Sequence, residues 1–303
     1  MNQSEKLLAQ IHIGNFKALA RAISLVENNS EVGHQLLNQL TINYQIPVIG
    51  FTGPPGAGKS SLVNVLLKNL SAQGKKTAVI AVDPTSPFNF GSLLGDRIRL
   101  SEHFNDKNIF IRSLATRGAL GGLAEKIIEV TDLLRASAFD FIIIETVGVG
   151  QSEVEIAGLA DTTVVVLVPE AGDEVQTMKA GLMEIADIFV VNKADRADVN
   201  RFVKNLELLV HEKSDTEWQI PVIKTIAING EGVDELIQQI QNHFAGANHN
   251  ERKNLLMAEK ALQLIINHKT KHINRAQLLV DIKKEMKKKN FNLYQFVSGK
   301  ILD

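Results

Sequence analysis

Residues 53–60 read Gly-Pro-Pro-Gly-Ala-Gly-Lys-Ser and fit the phosphate-binding pattern G-x-x-x-x-G-K-[ST] at each fixed position. The residue types dictate the chemistry. The loop Gly53, Pro54, Pro55, Gly56, Ala57, Gly58 can turn so that its N–H groups converge on phosphate oxygens. Lys59 can reach the β- and γ-phosphates, and the Ser60 hydroxyl can ligate Mg²⁺. From Ser61 the apolar spacing becomes helical, and a helix N-terminus adds positive charge at the same spot.

Two further elements follow in the order that a nucleotide site needs. Phe141-Ile142-Ile143-Ile144-Glu145 is an apolar strand tipped by an acid, which sets a carboxylate at the edge of a sheet beside the phosphate loop. Glu145 can hold a magnesium-bound water there; read alone, it is also an acid that merely ends a strand. Gly148 can offer a backbone N–H to the γ-phosphate and register its loss. Next, Asn192-Lys193-Ala194-Asp195 follows the strand-like Ile188-Phe189-Val190-Val191. The Asp195 carboxylate can accept hydrogen bonds from the guanine N1–H and exocyclic amine, a donor pair that adenine lacks. Lys193 can lie along the base, and Asn192 can tie the segment back to the phosphate loop. Thr225, Ile226 and Ala227 end the next strand, where a backbone N–H can meet the guanine oxygen. Asp83 and Asp96 lie in polar, Gly/Pro-marked segments suited to switches. Equally, Asp83 can close a strand and Asp96 can cap a helix.

These motifs need a scaffold of alternating strands and helices. Residues 43–245 supply it, with strands expected at Val48–Thr52, Thr77–Val82, Ile109–Ser113, Phe141–Glu145, Thr163–Val168, Ile188–Asn192 and Val222–Ala227. Helices are expected between them, among others at Leu123–Arg135 and Asp173–Ala186. That alternation predicts an α/β fold, a mostly parallel sheet with helices on both faces. Residues 1–42 show helical spacing through Leu7, Leu8, Ile11, Leu19, Ile23 and Val26. Residues 246–250 read as a linker, and 251–303 return to helical spacing with Leu255, Ala258, Leu262 and Ile265 on one face. The expected organisation is an N-terminal helical segment (1–42), a nucleotide domain (43–245) and a C-terminal helical arm (246–303).

Composition narrows the alternatives. The absence of Cys excludes a disulfide framework, thiolate metal sites and thiol catalysis. A net charge of -1 argues against a dominant nucleic-acid or membrane-surface role. No N-terminal apolar leader and no apolar run of about 18 residues is found, so the expectation is a soluble, cytoplasmic protein. Charge is nevertheless uneven: residues 250–303 hold 12 Lys/Arg against 5 Asp/Glu. Such a run serves either as a solvated helix face or as a dock for an acidic partner.

The ordered set GPPGAGKS, VDPTSPF, LLGDRIRL, ATRGALGGLA, ETVGVGQSE, EAGDEVQTMKAG and NKAD closely resembles the MeaB/ArgK family of P-loop GTPases, of the SIMIBI type. These are chaperones of adenosylcobalamin-dependent acyl-CoA mutases, methylmalonyl-CoA mutase among them. The likeness covers about residues 20–245. It implies that Ser60, Asp83, Asp96 and Glu145 form the magnesium shell, directly or through water. It also implies switches at 83–99, 145–155 and 172–179, the last facing the mutase, and a dimerisation arm at 251–303. Asn89-Phe90-Gly91 departs from the smaller, Gly-rich stretch expected there. Pro54 stands where related dimeric ATPases carry a second lysine, and no D-x-H-x-x-G motif is present, so any cobalamin belongs to the partner.

The expected reaction is GTP plus water to GDP and phosphate, with Lys59, Asp83 and Glu145 as the catalytic candidates. Asp83 and Glu145 are the residues that could orient the water. Slow intrinsic turnover is expected, because no Arg or Gln occupies an obviously catalytic place. Two rivals stand beside this reading. One is a kinase acting on a periplasmic amino-acid transport protein. The other is a metallocentre-insertion GTPase, which would normally bring His/Cys ligands.

Overall fold

Seven short runs rich in Val, Ile and Phe form the strands, because branched and aromatic side chains suit a pleated surface that is packed from both sides. The computed structural model describes residues 2–83, 100–115, 126–146, 152–171, 181–211, 218–246, 251–270, 273–287 and 290–302. The strands are β1 (Val48–Thr52), β2 (Thr77–Asp83), β3 (Ile109–Ala115), β4 (Phe141–Glu145), β5 (Thr162–Leu167), β6 (Ile188–Asn192) and β7 (Val222–Thr225). They form one sheet in the order β3-β2-β4-β1-β5-β6-β7. Every neighbouring pair is parallel. The expected α/β fold is therefore the observed one. β1, β4, β5 and β6 are buried at every residue, the mark of central strands covered on both faces.

Four strands differ from the sequence expectation. β2 runs one residue further, to Asp83, and β3 two further, to Ala115. β5 starts and ends one residue earlier. β7 stops at Thr225 because Ile226 leaves the ladder to form an isolated antiparallel bridge with Glu231.

The helices of the sheet unit are α1 (Gln3–His12), α2 (Phe16–Glu27), α3 (Glu31–Asn38), α4 (Lys59–Ala72), α5 (Ile127–Arg135), α6 (Ser152–Leu159), α7 (Leu182–Ile185), α8 (Val199–His211) and α9 (Val233–Gly246). On one face Leu62 and Leu66 of α4 pack with Phe51, Ile143, Val164 and Val190. On the other, Phe202 and Leu206 of α8 meet Val165, Phe189 and Val191. The N-terminal helices join this unit. Phe16 packs between Phe110 and Phe139, at ring separations of 5.4 and 5.8 Å. The Ser137 hydroxyl donates to the Ile11 carbonyl at 3.1 Å, and Arg112 pairs with Glu27.

Residues Met1–His249 form one compact unit and Asn250–Asp303 a second. The second holds α10 (Glu251–Lys269), α11 (Arg275–Glu285) and α12 (Leu293–Leu302). The face expected on α10 is present, and Leu255, Ala258, Leu262 and Ile265 are all exposed on it. No helix among the described residues is long and apolar enough to cross a membrane.

Candidate functional site

β1 is flanked by β4 on one side and β5 on the other, so the chain order reverses at its carboxyl end and opens a crevice there. The expected phosphate loop leaves β1 into this crevice. Two glycines fix its path. Gly53 has φ 133°, and a Cβ on it would lie 2.1 Å from the Val166 carbonyl oxygen of β5. Gly58 has φ 89°, and a Cβ there would lie 2.3 Å from the Asn192 amide nitrogen. Only glycine allows both the left-handed turn and the close approach.

The loop delivers the chain into α4. Asn2, Asn15 and Ser30 cap α1, α2 and α3 through their side chains, whereas α4 begins at Gly58 with no side-chain cap. Glycine at the cap brings no side-chain oxygen of its own to the start of the helix, an arrangement that suits an anion there. Lys59, 6% exposed, donates through Nζ to the carbonyls of Gly53 at 2.8 Å and Pro54 at 3.0 Å. A buried ammonium needs such partners. Ser60 donates through Oγ to Oε1 of Glu145 at 2.5 Å. Pro55, Gly56 and Ser61 are exposed around this loop, while Ala57 is buried beneath it.

Glu145 closes β4 in register with Phe51 of β1 and Ala81 of β2. It is buried, yet its carboxylate meets a hydroxyl from the first turn of α4. This pair of oxygen donors fits Mg²⁺, which takes one or two protein ligands and completes its shell with waters and substrate phosphates. No cluster of three or more His, Cys, Asp or Glu side chains forms a metal cage among the described residues. Asp83 closes β2 in register with Ala115. Its side chain lies outside the described residues, as do Asp96, Gly148, Asn89-Phe90-Gly91 and most of the three expected switches.

At the other end of the crevice, Asn192 closes β6 and is 2% exposed. Its Nδ2 donates to the Ala57 carbonyl at 2.9 Å, the tie to the phosphate loop expected of it. Its Oδ1 accepts from the Thr225 hydroxyl and from the Ala227 amide, each at 3.1 Å. Lys193 takes a left-handed conformation, φ 58°, and donates from Nζ to the Gly56 carbonyl at 2.8 Å. The Ala194 amide donates to the Thr225 carbonyl at 3.1 Å, so the loops after β6 and β7 are stitched together. Asp195 stands exposed beside them.

Of the amides expected to face a guanine oxygen, that of Ile226 donates to Glu231 at 3.1 Å and that of Ala227 to Asn192. The Thr225 hydroxyl is a participant that the motif alone does not announce. Its only sequence signal is a hydroxyl residue at a strand end opposite Asn192. Arg196 pairs with Glu170, which precedes the expected third switch, and its hydrogen bond and charge hold the Glu170 carboxyl below the ordinary value.

Comparisons with known proteins identify the family. Residues 19–279 match the family described as methylmalonyl-CoA mutase-associated GTPase MeaB. A Pyrococcus abyssi protein carrying a provisional GTPase name is 48% identical over 79% of this chain and 75% of its own length. The GTPase ArgK of Escherichia coli is 36% identical, covering 76% of this chain and 72% of its own. The mouse methylmalonic aciduria type A homolog, mitochondrial, is 37% identical over 77% of this chain and 61% of its own. Among solved structures, an LAO/AO transport system kinase superposes with a TM-score of 0.70 at 24% identity, covering 100% of this chain and 99% of that one, and shares its fold. The chain belongs to the MeaB family of methylmalonyl-CoA mutase-associated GTPases.

Proposed function

We propose that this GTPase binds GTP with Mg²⁺ at the carboxyl edge of β1 and uses its nucleotide cycle to gate adenosylcobalamin loading onto an acyl-CoA mutase such as methylmalonyl-CoA mutase. What carries the reading is the grouping of Lys59, Ser60 and Glu145 beside the Asn192 network, in a family described by its association with that mutase.

In this reading the Lys59 ammonium leaves the Gly53 and Pro54 carbonyls for phosphate oxygens. It is then positioned to neutralise charge that grows on the β–γ bridge and the γ-oxygens in the transition state. The amides of the loop and of the first turn of α4 act on the same oxygens. Ser60 and Glu145 would hold Mg²⁺, which when bound adds further neutralising charge at those phosphates. Asp195 accepts the guanine N1–H and amine, and Asn192 keeps the base loop at a fixed distance from the phosphate loop. Asp83, Asp96 and Gly148 complete the assignment from their motif positions, with Asp83 or Glu145 orienting water.

The exposed apolar face of α10 supports the further reading that residues 246–303 pair two copies of the chain. The client is tested by titrating the mutase of the same organism against this protein in its empty, GDP and non-hydrolysable GTP states. The expected outcome is affinity that depends on the nucleotide, with altered hydrolysis and cofactor transfer, because by linkage a partner that prefers one state must shift nucleotide binding. Absence of a complex in every state would overturn the client assignment and leave the GTPase.

A further inference from the structure

Apolar packing holds a helix against a sheet but fixes its rotation and its slide poorly, because such contacts have no direction. Helix α4 meets the core through Leu62, Val63, Leu66, Leu67 and Leu70, and its first turn carries Lys59 and Ser60. Another side of this helix is polar. Ser60, Asn64, Lys68 and Ser71 follow at spacings of four, four and three, so they form one stripe along it. Each is bound. Ser60 donates to Glu145. Asn64 donates through Nδ2 to Glu102, so its Oδ1 takes the Nε2–H of His103, at 2.7 Å. Lys68 pairs with Glu102 at 2.8 Å, and Ser71 donates to Asp106 at 2.6 Å. The segment that receives these bonds, 100–106, is itself fixed. Leu100 is buried in the same core as Leu62 and Leu66. His103 is 4% exposed, and its amide donates to the Leu100 carbonyl at 3.1 Å. Asp106 accepts from the Asn108 amide at 2.8 Å, and β3 starts at the following residue.

Asn64 stands one helical turn, about 5.4 Å along the axis, from Ser60. We infer that Asn64, clasped by His103 and Glu102, is a positioning residue that sets the rotation of the first turn of α4 and thereby aims the Ser60 hydroxyl at Mg²⁺. This rests on the reading of Ser60 and Glu145 as the pair that holds the ion. Octahedral coordination tolerates little displacement of a ligand, and the two oxygens come from different elements. Glu145 is set by the strand ladder, in register with Phe51 and Ala81. A helix has no ladder to set it, and the Asn64 clasp does that work. The bond between Ser60 and Glu145 cannot, because the metal would displace it. The bonds of Asn64 involve no atom of the nucleotide motifs, so they persist when the site fills. The pair of Lys68 with Glu102 adds little, since both side chains are about half exposed. Asn64 is short, and its partner His103 is buried, so this contact has the stiffness that aiming requires.

The test follows release of a fluorescent GDP analogue from the full-length protein at increasing Mg²⁺. It reads the concentration at which the ion slows release by half, at a temperature where circular dichroism shows every variant folded. N64A and H103A should each raise that concentration about tenfold, as loss of a residue that orients a metal ligand does. Release in the absence of Mg²⁺ should change little. H103Q places an amide N–H close to where Nε2 stood and should restore most of the wild-type value. S71A breaks the same stripe about three turns from Ser60 and serves as the control. It should lower the thermal midpoint yet leave the Mg²⁺ requirement unaltered. A requirement unchanged in N64A and H103A, with only their midpoints lowered, would overturn the inference. So would a requirement raised equally in S71A, or H103Q behaving no better than H103A. Wild-type release that ignores Mg²⁺ would overturn the proposed metal end itself, and the inference with it.

Discussion

Asn192 and Lys59 are both buried polar residues at the rim of one crevice, yet they are satisfied in opposite ways. Asn192 is bound to three separate elements: the phosphate loop, the end of β7 and the loop beyond it. Lys59 bonds to carbonyls of the loop that immediately precedes it, and Ser60 to Glu145. The base end is therefore assembled in advance, and its bonds can persist when a nucleotide enters. The other end is satisfied by bonds that, in the proposed function, a nucleotide and Mg²⁺ would replace. On the proposed reading, base selection and catalysis are thus separated along one sheet edge, the first held by bonds between elements and the second by bonds a nucleotide would exchange.

The largest test of that contrast is K59A. Single-turnover hydrolysis should fall at least about a hundredfold, because the lost contact strengthens in the transition state. Guanine preference should survive, and normal turnover would break the comparison. D195N should do the converse. It should lose about a hundredfold in GTP affinity and gain xanthosine triphosphate, whose 2-oxo group suits an amide donor. Equal binding of ATP and GTP by the wild type would remove the base end from the comparison altogether. N192A sharpens the claim of prior assembly. It strands the Ala57 carbonyl, the Thr225 hydroxyl and the Ala227 amide, so urea unfolding without nucleotide should report a loss of about 2–4 kcal/mol. A smaller loss than for S60A would mean that the two ends are equally provisional. The smallest effect is expected for E145Q, which keeps the shape of the Ser60 contact. The Mg²⁺ concentration for half-maximal hydrolysis should rise about tenfold, with GDP affinity changed less.

Much of this fold could be read from residue patterns because its strands are central. Runs such as Phe141–Glu145 and Ile188–Asn192 are buried on both faces, so they are apolar throughout and stand out between polar stretches. Helix α6 gave no such signal. Its polar residues, Ser152, Glu153 and Glu155, all fall in the first half and Ile156, Ala157 and Leu159 are buried in the second, so polar and apolar residues do not alternate with a helical period. β7 was read two residues too long because Ile226 and Ala227 look like strand residues, and only the bridge to Glu231 removes them. In the site, Asn192, Lys193 and the glycines are announced by spacing, since phosphate and base chemistry tolerate few substitutes. The carbonyl partners of Lys59 and the hydroxyl of Thr225 were not legible. Main-chain acceptors carry no sequence signature, and a threonine at a strand end has many uses.

The strand order also sets a timetable for biosynthesis. β1 leaves the ribosome early, but its neighbours β4 and β5 are encoded some ninety to one hundred and twenty residues later. Until they arrive, the phosphate loop has no Val166 carbonyl against Gly53 and no Glu145 for Ser60. The clasp through Asn192 waits longer still, for β7 and Ala227. A nascent chain halted before residue 227 thus carries its best-known motif without the architecture that makes it bind. Cellular GTP can stabilise only chains whose sheet is already complete, and so acts as a late check on synthesis.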